Sequence, residues 1–303
     1  MGTIFSAWVC CFMLTIFLFL CGVACAFRAI VLYRRLRALI EGLYPQPLRI
    51  TSADQVYAVQ VLGSFESISF TTQDGLTLRA WYKPSQNGAA VIFIHGKSNN
   101  RHTLIEEAAA VVRLGMGVLL YDSRASGESD GRLHSWGGLE QLDLAAALDY
   151  LESRRDVDAN RIGVHGFSVG ANTALLLAVK DQRVKALVLS GACPSLAEYL
   201  HHISSKPKIL MAWLLLRQYK KAGVPVAKVN LTENIARFAP RPLLMIRGTG
   251  SVTVPIALAQ NLFDAADEPK TQLVIEGADH MDFVQVGGSK YLSAVADFFN
   301  RYL

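Results

Sequence analysis

The sequence predicts an α/β fold in which a mostly parallel central sheet is covered by helices on both faces. Short apolar segments typical of buried strands recur along the chain, and segments with leucines at helical spacing lie between them. Such alternation is typical of a parallel sheet with helical crossover connections. Strands are predicted at residues 89–94, 118–121, 161–167, 184–189, 242–247 and 272–275.

The elements around these strands are predicted from local signals. Segments 65–71 and 76–82 flank Gln73-Asp74-Gly75 and form a predicted hairpin ahead of the parallel strands. Helices are predicted between the later strands, where apolar residues recur at helical spacing: Leu144, Leu148 and Leu151, then Leu175, Leu176 and Val179. In such a sheet, ligands bind at the carboxyl ends of the strands, so candidate functional residues are expected there.

Residues 1–49 are predicted to be a transmembrane anchor with a basic juxtamembrane linker. No charged residue occurs before Arg28, and the apolar run at about 4–27 is long enough to cross a hydrocarbon core of about 30 Å. Arginines follow this run and none precede it, which predicts a single-pass protein of the cell membrane with its C-terminal domain in the cytoplasm. The lipid bilayer is therefore an expected partner.

Residues 50–303 are predicted to be one domain. The connection between the strands at 184–189 and 242–247 is unusually long, and residues 209–216 within it carry no polar side chain. We interpret residues 193–239 as a lid over the strand ends. The alternative is a thick crossover helix that packs into the core.

Composition excludes several classes of protein. The chain is 51% hydrophobic and 18% charged, which excludes a disordered chain. Because the first 49 residues hold +4 of the net charge of +5, the rest is nearly neutral and no nucleic-acid partner is expected. Only Cys193 lies outside the N-terminal apolar run, so no internal disulfide is expected. Without an H-E-x-x-H motif or a Cys/His cluster, neither a metal nor another cofactor is predicted.

The strongest motif is Gly166-Phe167-Ser168-Val169-Gly170, which follows a predicted strand and precedes a predicted helix. In a G-x-S-x-G turn of this kind, a sharp bend exposes the serine hydroxyl, and the glycines permit close approach of the backbone. Ser168 is therefore the candidate nucleophile. The backbone N–H of Val169 is a candidate donor to a developing oxyanion.

Two further strand ends contribute candidates. His95-Gly96-Lys97 follows the strand at 89–94, and the backbone N–H of Lys97 is the second candidate oxyanion donor. The His95 side chain is interpreted as a structural turn residue. His280 follows the last strand and is the candidate general base.

From about residue 65 to the C-terminus, the sequence resembles the α/β-hydrolase superfamily, in particular its esterase- and serine-peptidase-like branch. The resemblance implies an α/β-hydrolase fold and a catalytic triad. In the family's D-x-R-G-x-G-x-S motif, Ala125 replaces the first glycine of the pattern. The matching residues are His95-Gly96, the segment 121–129, the Ser168 turn and His280.

The family's acid is missing from the expected position. The resemblance implies a G-T-x-D-x-x-V-P segment, and this chain has Gly248-Thr249-Gly250-Ser251-Val252-Thr253-Val254-Pro255. Ser251 thus stands where the aspartate is expected. A serine there is able to accept a hydrogen bond from His280 and orient it, but it cannot stabilise the imidazolium as a carboxylate does.

The function predicted from the sequence is a membrane-anchored serine hydrolase that cleaves an ester, thioester or amide, with Ser168 as nucleophile and His280 as base. Carboxylesterase-, lipase- and peptidase-like activities all stay open, as does the oligomeric state. An apolar, acyl-bearing small molecule is the expected substrate, because residues 209–216 would line the site with hydrocarbon and Trp213. The alternative is a hydrolase-fold protein with weak or no catalysis that binds a ligand or partner.

Overall fold

The structure is a computed structural model that describes residues 22–23, 25–31, 33–34, 37, 47–203 and 208–303. The chain consists of two compact units, residues 1–42 and 43–303. The described residues of the first unit are helical. The sheet and the candidate site belong to the second unit.

The predicted membrane localisation is wrong. Among the described residues, no helix is long and apolar enough to cross a membrane. Most of the predicted anchor at 4–27 lies outside the described residues, which include only 22–23 and 25–27 of it.

The second unit is built on one eight-stranded sheet with the order β1-β2-β4-β3-β5-β6-β7-β8. The pairs β1–β2 and β2–β4 are antiparallel, and all other neighbours are parallel. This sheet confirms the predicted fold class and the hairpin. The strands are β1 Glu66–Thr71, β2 Thr77–Lys83, β3 Gly88–Ile94, β4 Gly117–Tyr121, β5 Val157–Phe167, β6 Val184–Ser190, β7 Leu243–Gly248 and β8 Lys270–Ile275.

Eight helices accompany the sheet within residues 47–203 and 208–303. They are α1 Ser52–Leu62, α2 Ile105–Val112, α3 Gln141–Glu152, α4 Val169–Ala178, α5 Leu196–Ile203, α6 Lys208–Lys221, α7 Ile256–Asp264 and α8 Phe283–Tyr302. Helices α1, α2 and α8 share an apolar core with one face of the sheet, and α3 and α4 pack together beside β5. Helices thus cover the sheet as the apolar periodicity predicts.

The segment predicted as a lid, 193–239, lies between β6 and β7. It contains α5 and α6, followed by 3₁₀ turns at Val226–Lys228 and Ile235–Phe238. Its two ends are tied together, because the Leu196 N–H donates to the Val229 carbonyl and the Leu231 N–H donates to the Pro194 carbonyl. The insertion therefore leaves and rejoins the sheet through a hydrogen-bonded base.

Helices α2 and α8 are joined in the core by a polar contact. The Tyr291 hydroxyl on α8 donates to Glu107 Oε1 on α2 over 2.8 Å. Both residues are almost fully buried, and burial raises the pKa of the Glu107 carboxyl to about 7. Glu107 is thus held in its neutral form at a pH where the unfolded chain ionises it.

We predict that Glu107→Gln removes the loss of stability that the wild type suffers when pH rises from about 4.5 to about 7. Because the folded-state pKa is raised above the unfolded value, the contribution of Glu107 is fully present below about pH 4.5 and is lost as pH rises to about 7. The difference in free energy of unfolding between Glu107→Gln and the wild type should therefore shift in favour of the variant by up to about 3 kcal/mol as pH rises from 4.5 to 7. Urea unfolding at several pH values measures this difference.

The control variant is Glu233→Gln, which removes an exposed carboxylate instead of a buried one. A difference between Glu107→Gln and the wild type that stays constant from pH 4.5 to 7.5 would contradict the prediction.

Candidate active site

Ser168 occupies a strained turn between β5 and α4. Its backbone has φ 55° and ψ −118°, in the positive-φ region that side chains rarely adopt. The turn is held because the Ser168 N–H donates to the Ser190 carbonyl over 2.8 Å. This conformation lifts the serine out of both the strand and the helix, as expected for a nucleophile elbow.

The glycines of the motif are required by close packing. A Cβ on Gly170 would lie 2.2 Å from the Ile94 carbonyl oxygen, and one on Gly166 would lie 2.3 Å from the Gly170 carbonyl oxygen. The start of α4 therefore touches the end of β3, with no room for a side chain between them. This contact places Ser168 and Val169 beside the loop that carries Lys97.

His280 reaches Ser168 from the loop after β8. Its Nε2 lies 2.9 Å from Ser168 Oγ. The loop is held by the Asp279 carboxylate, whose Oδ1 accepts from the backbone N–H groups of His280 and Val252. Burial lowers the pKa of His280, opposed by the nearby Asp279 charge, so the neutral imidazole that a general base needs is favoured.

The predicted contact between Ser251 and His280 is not formed. Ser251 Oγ accepts instead from the Val254 N–H over 3.2 Å. His280 Nδ1 is buried and has no hydrogen-bond partner among the residues that the structure describes. The Ser251 side chain is shorter than an aspartate and forms a local turn contact, which is common for serine. The structure thus brings together the nucleophile and base candidates, and none of the described residues serves His280 as an acid.

Both candidate oxyanion donors line the same pocket as Ser168 and His280. Within the described residues, the backbone N–H groups of Lys97 and Val169 donate to no protein acceptor. The Lys97 loop is braced by His95, whose Nε2 accepts from the Ser123 N–H over 3.0 Å and whose Nδ1 lies 2.7 Å from the Gly96 carbonyl oxygen. His95 is thus part of the turn, as the sequence indicated.

The segment 121–129 braces the fold rather than lining the pocket. The buried Asp122 carboxylate accepts from Arg101 and from the Glu128 N–H, and the Arg124 guanidinium pairs with the buried Asp143. Ala125 has φ 58°, in the left-handed region that explains the glycine usual in the family's motif. The alanine therefore costs roughly 1 kcal/mol of strain at this turn.

The pocket around Ser168 has a volume of about 150 Å³ and aromatic walls. Trp136 and Tyr199 meet there with their ring centroids 4.8 Å apart. The Lys97 ammonium lies 5.0 Å from the centroid of the Trp136 ring, and burial lowers its pKa to about 8. The remaining lining residues are Gly96, Asn99, Phe167, Ser168, Val169, Cys193, Thr253, Val254, His280 and Met281.

Sequence reasoning named the wrong tryptophan for this pocket. Trp213 is 54% exposed and lines a separate groove on α6 with Leu216 and Arg217. Trp136 and Tyr199, which the sequence analysis did not single out, line the pocket instead. Their positions in the sequence could have indicated them, because Trp136 lies in the connection after β4 and Tyr199 in the connection after β6. A parallel sheet binds its ligands at these strand ends.

No metal site accompanies these residues in the part of the chain that the structure describes. There, no group of three or more His, Cys, Asp or Glu side chains is placed to hold a metal ion.

The fold and the serine turn together define an α/β hydrolase, and solved structures share this fold. The esterase Pf2001 of Pyrococcus furiosus has a TM-score of 0.70 at 23% identity, covering 86% of this chain and 98% of that chain. The α/β hydrolase GrgF of Penicillium has a TM-score of 0.65 at 23% identity, covering 79% of this chain and 99% of that chain. At this identity, the likeness establishes the fold alone.

The sequence assigns the family within this class. Residues 85–239 match the family Hydrolase_4, serine aminopeptidase S33. A Mycobacterium tuberculosis protein, Rv2307c, is 34% identical over 248 residues, which cover 80% of this chain and 81% of the relative. The polyketide transferase grgF of Penicillium is 26% identical over 282 residues, covering 78% and 96%. The chain belongs to the Hydrolase_4 family of α/β hydrolases, which supports a hydrolase activity.

We predict that Gly170→Ala destabilises the fold by about 3 kcal/mol or more, because its Cβ would collide with backbone that cannot move independently of β3. Gly75→Ala is the matched control. Gly75 has φ 85° with no atom within 4 Å of an added Cβ, so only backbone strain of about 1 kcal/mol is expected. Chemical denaturation of both variants measures the difference, and equal losses would contradict the packing argument.

Proposed function

We propose that this protein is a serine hydrolase that cleaves an ester, thioester or amide of a small molecule, with Ser168 as nucleophile and His280 as general base. The observation that carries the proposal is the 2.9 Å contact between Ser168 Oγ and His280 Nε2 at a strained turn that opens into a pocket. A nucleophile within hydrogen-bond reach of a base is the geometry that covalent acyl transfer needs.

The proposed reaction uses this chain's own groups at each step. Ser168 Oγ attacks the substrate carbonyl while its proton passes to His280 Nε2. The N–H groups of Val169 and Lys97 stabilise the oxyanion, and the imidazolium returns the proton to the leaving group. Water, activated by His280, then releases the acyl group from Ser168. The neutral imidazole favoured by burial fits the first of these proton transfers.

The absence of an acid partner lowers the expected rate. In a complete triad, the acid stabilises the imidazolium, and its removal costs roughly 10⁴-fold in turnover, or about 5 kcal/mol. Since His280 Nδ1 has no hydrogen-bond partner among the described residues, the same cost is expected here. The pair therefore supports slow hydrolysis of activated substrates.

The same observation favours a second candidate function. A hydrolase-fold protein without the acid is also suited to bind a ligand without turning it over. The two candidates differ in one property, which is whether Ser168 forms a covalent bond with an electrophile that modifies active-site serines.

The substrate is proposed to carry an apolar acyl group. Aromatic walls favour hydrocarbon, and each buried methylene is worth about 0.8 kcal/mol. Tyr199 on α5 belongs to the segment 193–239, which we propose acts as a lid on the hydrolase domain of residues 50–303. The relative named as a polyketide transferase fits a small-molecule substrate.

We predict that a fluorophosphonate labels the wild-type protein at Ser168. Labelling should vanish in Ser168→Ala and fall at least about a hundredfold in His280→Ala, because general-base assistance contributes 10²–10⁴-fold. His202→Ala is the matched control, since His202 is exposed and lines no part of the pocket. Labelled bands are quantified against time by in-gel fluorescence.

If the wild-type protein stays unlabelled under conditions that label an intact serine hydrolase, the binding function replaces the hydrolase. Labelling that persists in Ser168→Ala would place the nucleophile elsewhere.

Acyl-chain selectivity tests the assignment of the pocket walls. Tyr199→Ala should lower the ratio of kcat/KM for p-nitrophenyl octanoate over p-nitrophenyl acetate by about tenfold, because an aromatic wall is lost. Trp213→Ala should leave this ratio unchanged, since Trp213 faces a different groove. If Trp213→Ala lowered this ratio and Tyr199→Ala did not, α6 would be the element that contacts the acyl chain.

A further inference from the structure

A second, narrower cleft lies on the Nδ1 side of His280. It lies at the ends of β6 and β7, beside the loop that leads to α7, and its cavity volume is only about 10 Å³. His280 and Ser251 line it together with Gly191, Arg247 and Gln272. This is where a triad acid at position 251 would lie, and no Asp or Glu is among the lining residues.

Three of the four polar side chains that line this cleft, those of Arg247, Gln272 and His280, carry buried donor nitrogens without acceptors. His280 Nδ1, Arg247 Nε, Arg247 Nη1 and Gln272 Nε2 are buried atoms with no hydrogen-bond partner among the described residues. His280 itself is only 6% exposed. For Nε2 to accept the Ser168 proton, Nδ1 must carry the hydrogen, so it too is a donor.

Arg247 has no carboxylate partner among the described residues. Its Nη2 makes one long contact, 3.4 Å, with the neutral Gln260 amide oxygen. A buried donor left without an acceptor costs about 1–3 kcal/mol, and a charged one costs more. The positive charge of Arg247, together with the unpaired neutral donors of Gln272 and His280, favours an anion in this cleft.

A side chain at position 191 would crowd the Nδ1 edge of the His280 ring. Gly191 has φ 60°, and a Cβ there would lie 3.1 Å from Nδ1 and 2.9 Å from the Cε1 atom of the same ring. The neighbouring carboxylate of Asp279 is held by the backbone N–H groups of His280 and, from the loop after β7, Val252. His280 Nδ1 is therefore a buried donor for which the described residues supply no acceptor.

We infer that this cleft binds a compact carboxylate anion, such as formate, which accepts a hydrogen bond from His280 Nδ1–H and takes the place of the triad acid. Arg247 and Gln272 hold the anion, and the narrow walls exclude larger ones. When Ser168 passes its proton to Nε2, the bound carboxylate stabilises the imidazolium. The inference rests on the proposed function, because this stabilisation matters only if His280 acts as a base.

Binding is tested without catalysis in Ser168→Ala protein. In ¹⁵N-histidine-labelled protein, sodium formate should shift the Nδ1 resonance of His280 with a saturating titration curve, and sodium chloride at equal ionic strength should not. The shift should disappear in the double variant with Arg247→Met and persist with Arg113→Gln, which removes an exposed arginine. A resonance that does not move, or that moves equally with chloride, would overturn the inference.

The catalytic consequence is tested by the rate of fluorophosphonate labelling. Formate should accelerate labelling of the wild type by about 10- to 10³-fold, a fraction of the usual worth of a triad acid. Benzoate, which is too large for the cleft, should not. Ser251→Asp supplies a carboxylate from the chain itself, so it should label faster than the wild type without formate and gain nothing when formate is added.

These outcomes separate the inference from the proposed function. Labelling of Ser168 that is indifferent to formate overturns the inference and leaves the hydrolase standing. A formate-dependent shift of His280 that needs Arg247, in a protein that never labels, supports the anion site and rejects the hydrolase.

Discussion

The contact between the start of α4 and the end of β3 is the constraint on which the site depends. The backbone of Gly170 approaches the Ile94 carbonyl so closely that no side chain fits between them. This approach bends the chain sharply at Ser168 and brings the Val169 and Lys97 N–H groups to one pocket. The 2.9 Å contact with His280 then requires only that the loop after β8 end at the same edge of the sheet.

At this edge of the sheet, both sides of His280 present hydrogen-bond donors and neither presents a carboxylate among the described lining residues. The pocket side of His280 offers a hydroxyl and two free N–H donors, and the Nδ1 side offers further donors from Arg247 and Gln272. The positive charge that would develop on His280 during catalysis meets no carboxylate on either side among the described lining residues. A Ser–His pair in these surroundings is expected to be slow, and an anion bound from solution is the simplest remedy.

Sequence predicted what local patterns determine. The largely parallel sheet follows from the alternation of strands and helices, and Ser168 follows from a motif whose two glycines are sterically required. His280 was found because it follows the last strand. Its approach to Ser168 is a consequence of parallel strands ending at one edge.

Other features depend on contacts that a sequence does not display. Trp136 enters the pocket through a loop held by the buried Glu140, and Tyr199 enters through the insertion, so neither shows a periodic signal. Trp213 lies in an apolar segment, yet the helix presents it to a different groove. Ser251 keeps the family's spacing, but its short side chain is taken by the nearby Val254 N–H.

The central claim is that Ser168 forms a covalent acyl intermediate with help from His280. Its most direct test is the intact mass of the protein after brief mixing with p-nitrophenyl acetate, followed by peptide mapping. Because deacylation also depends on the unsupported His280, we expect a single acetyl group per chain to accumulate on the peptide that contains Ser168, and to be lost in His280→Ala. Acetylation spread over lysines, and equal in Ser168→Ala, would contradict the account.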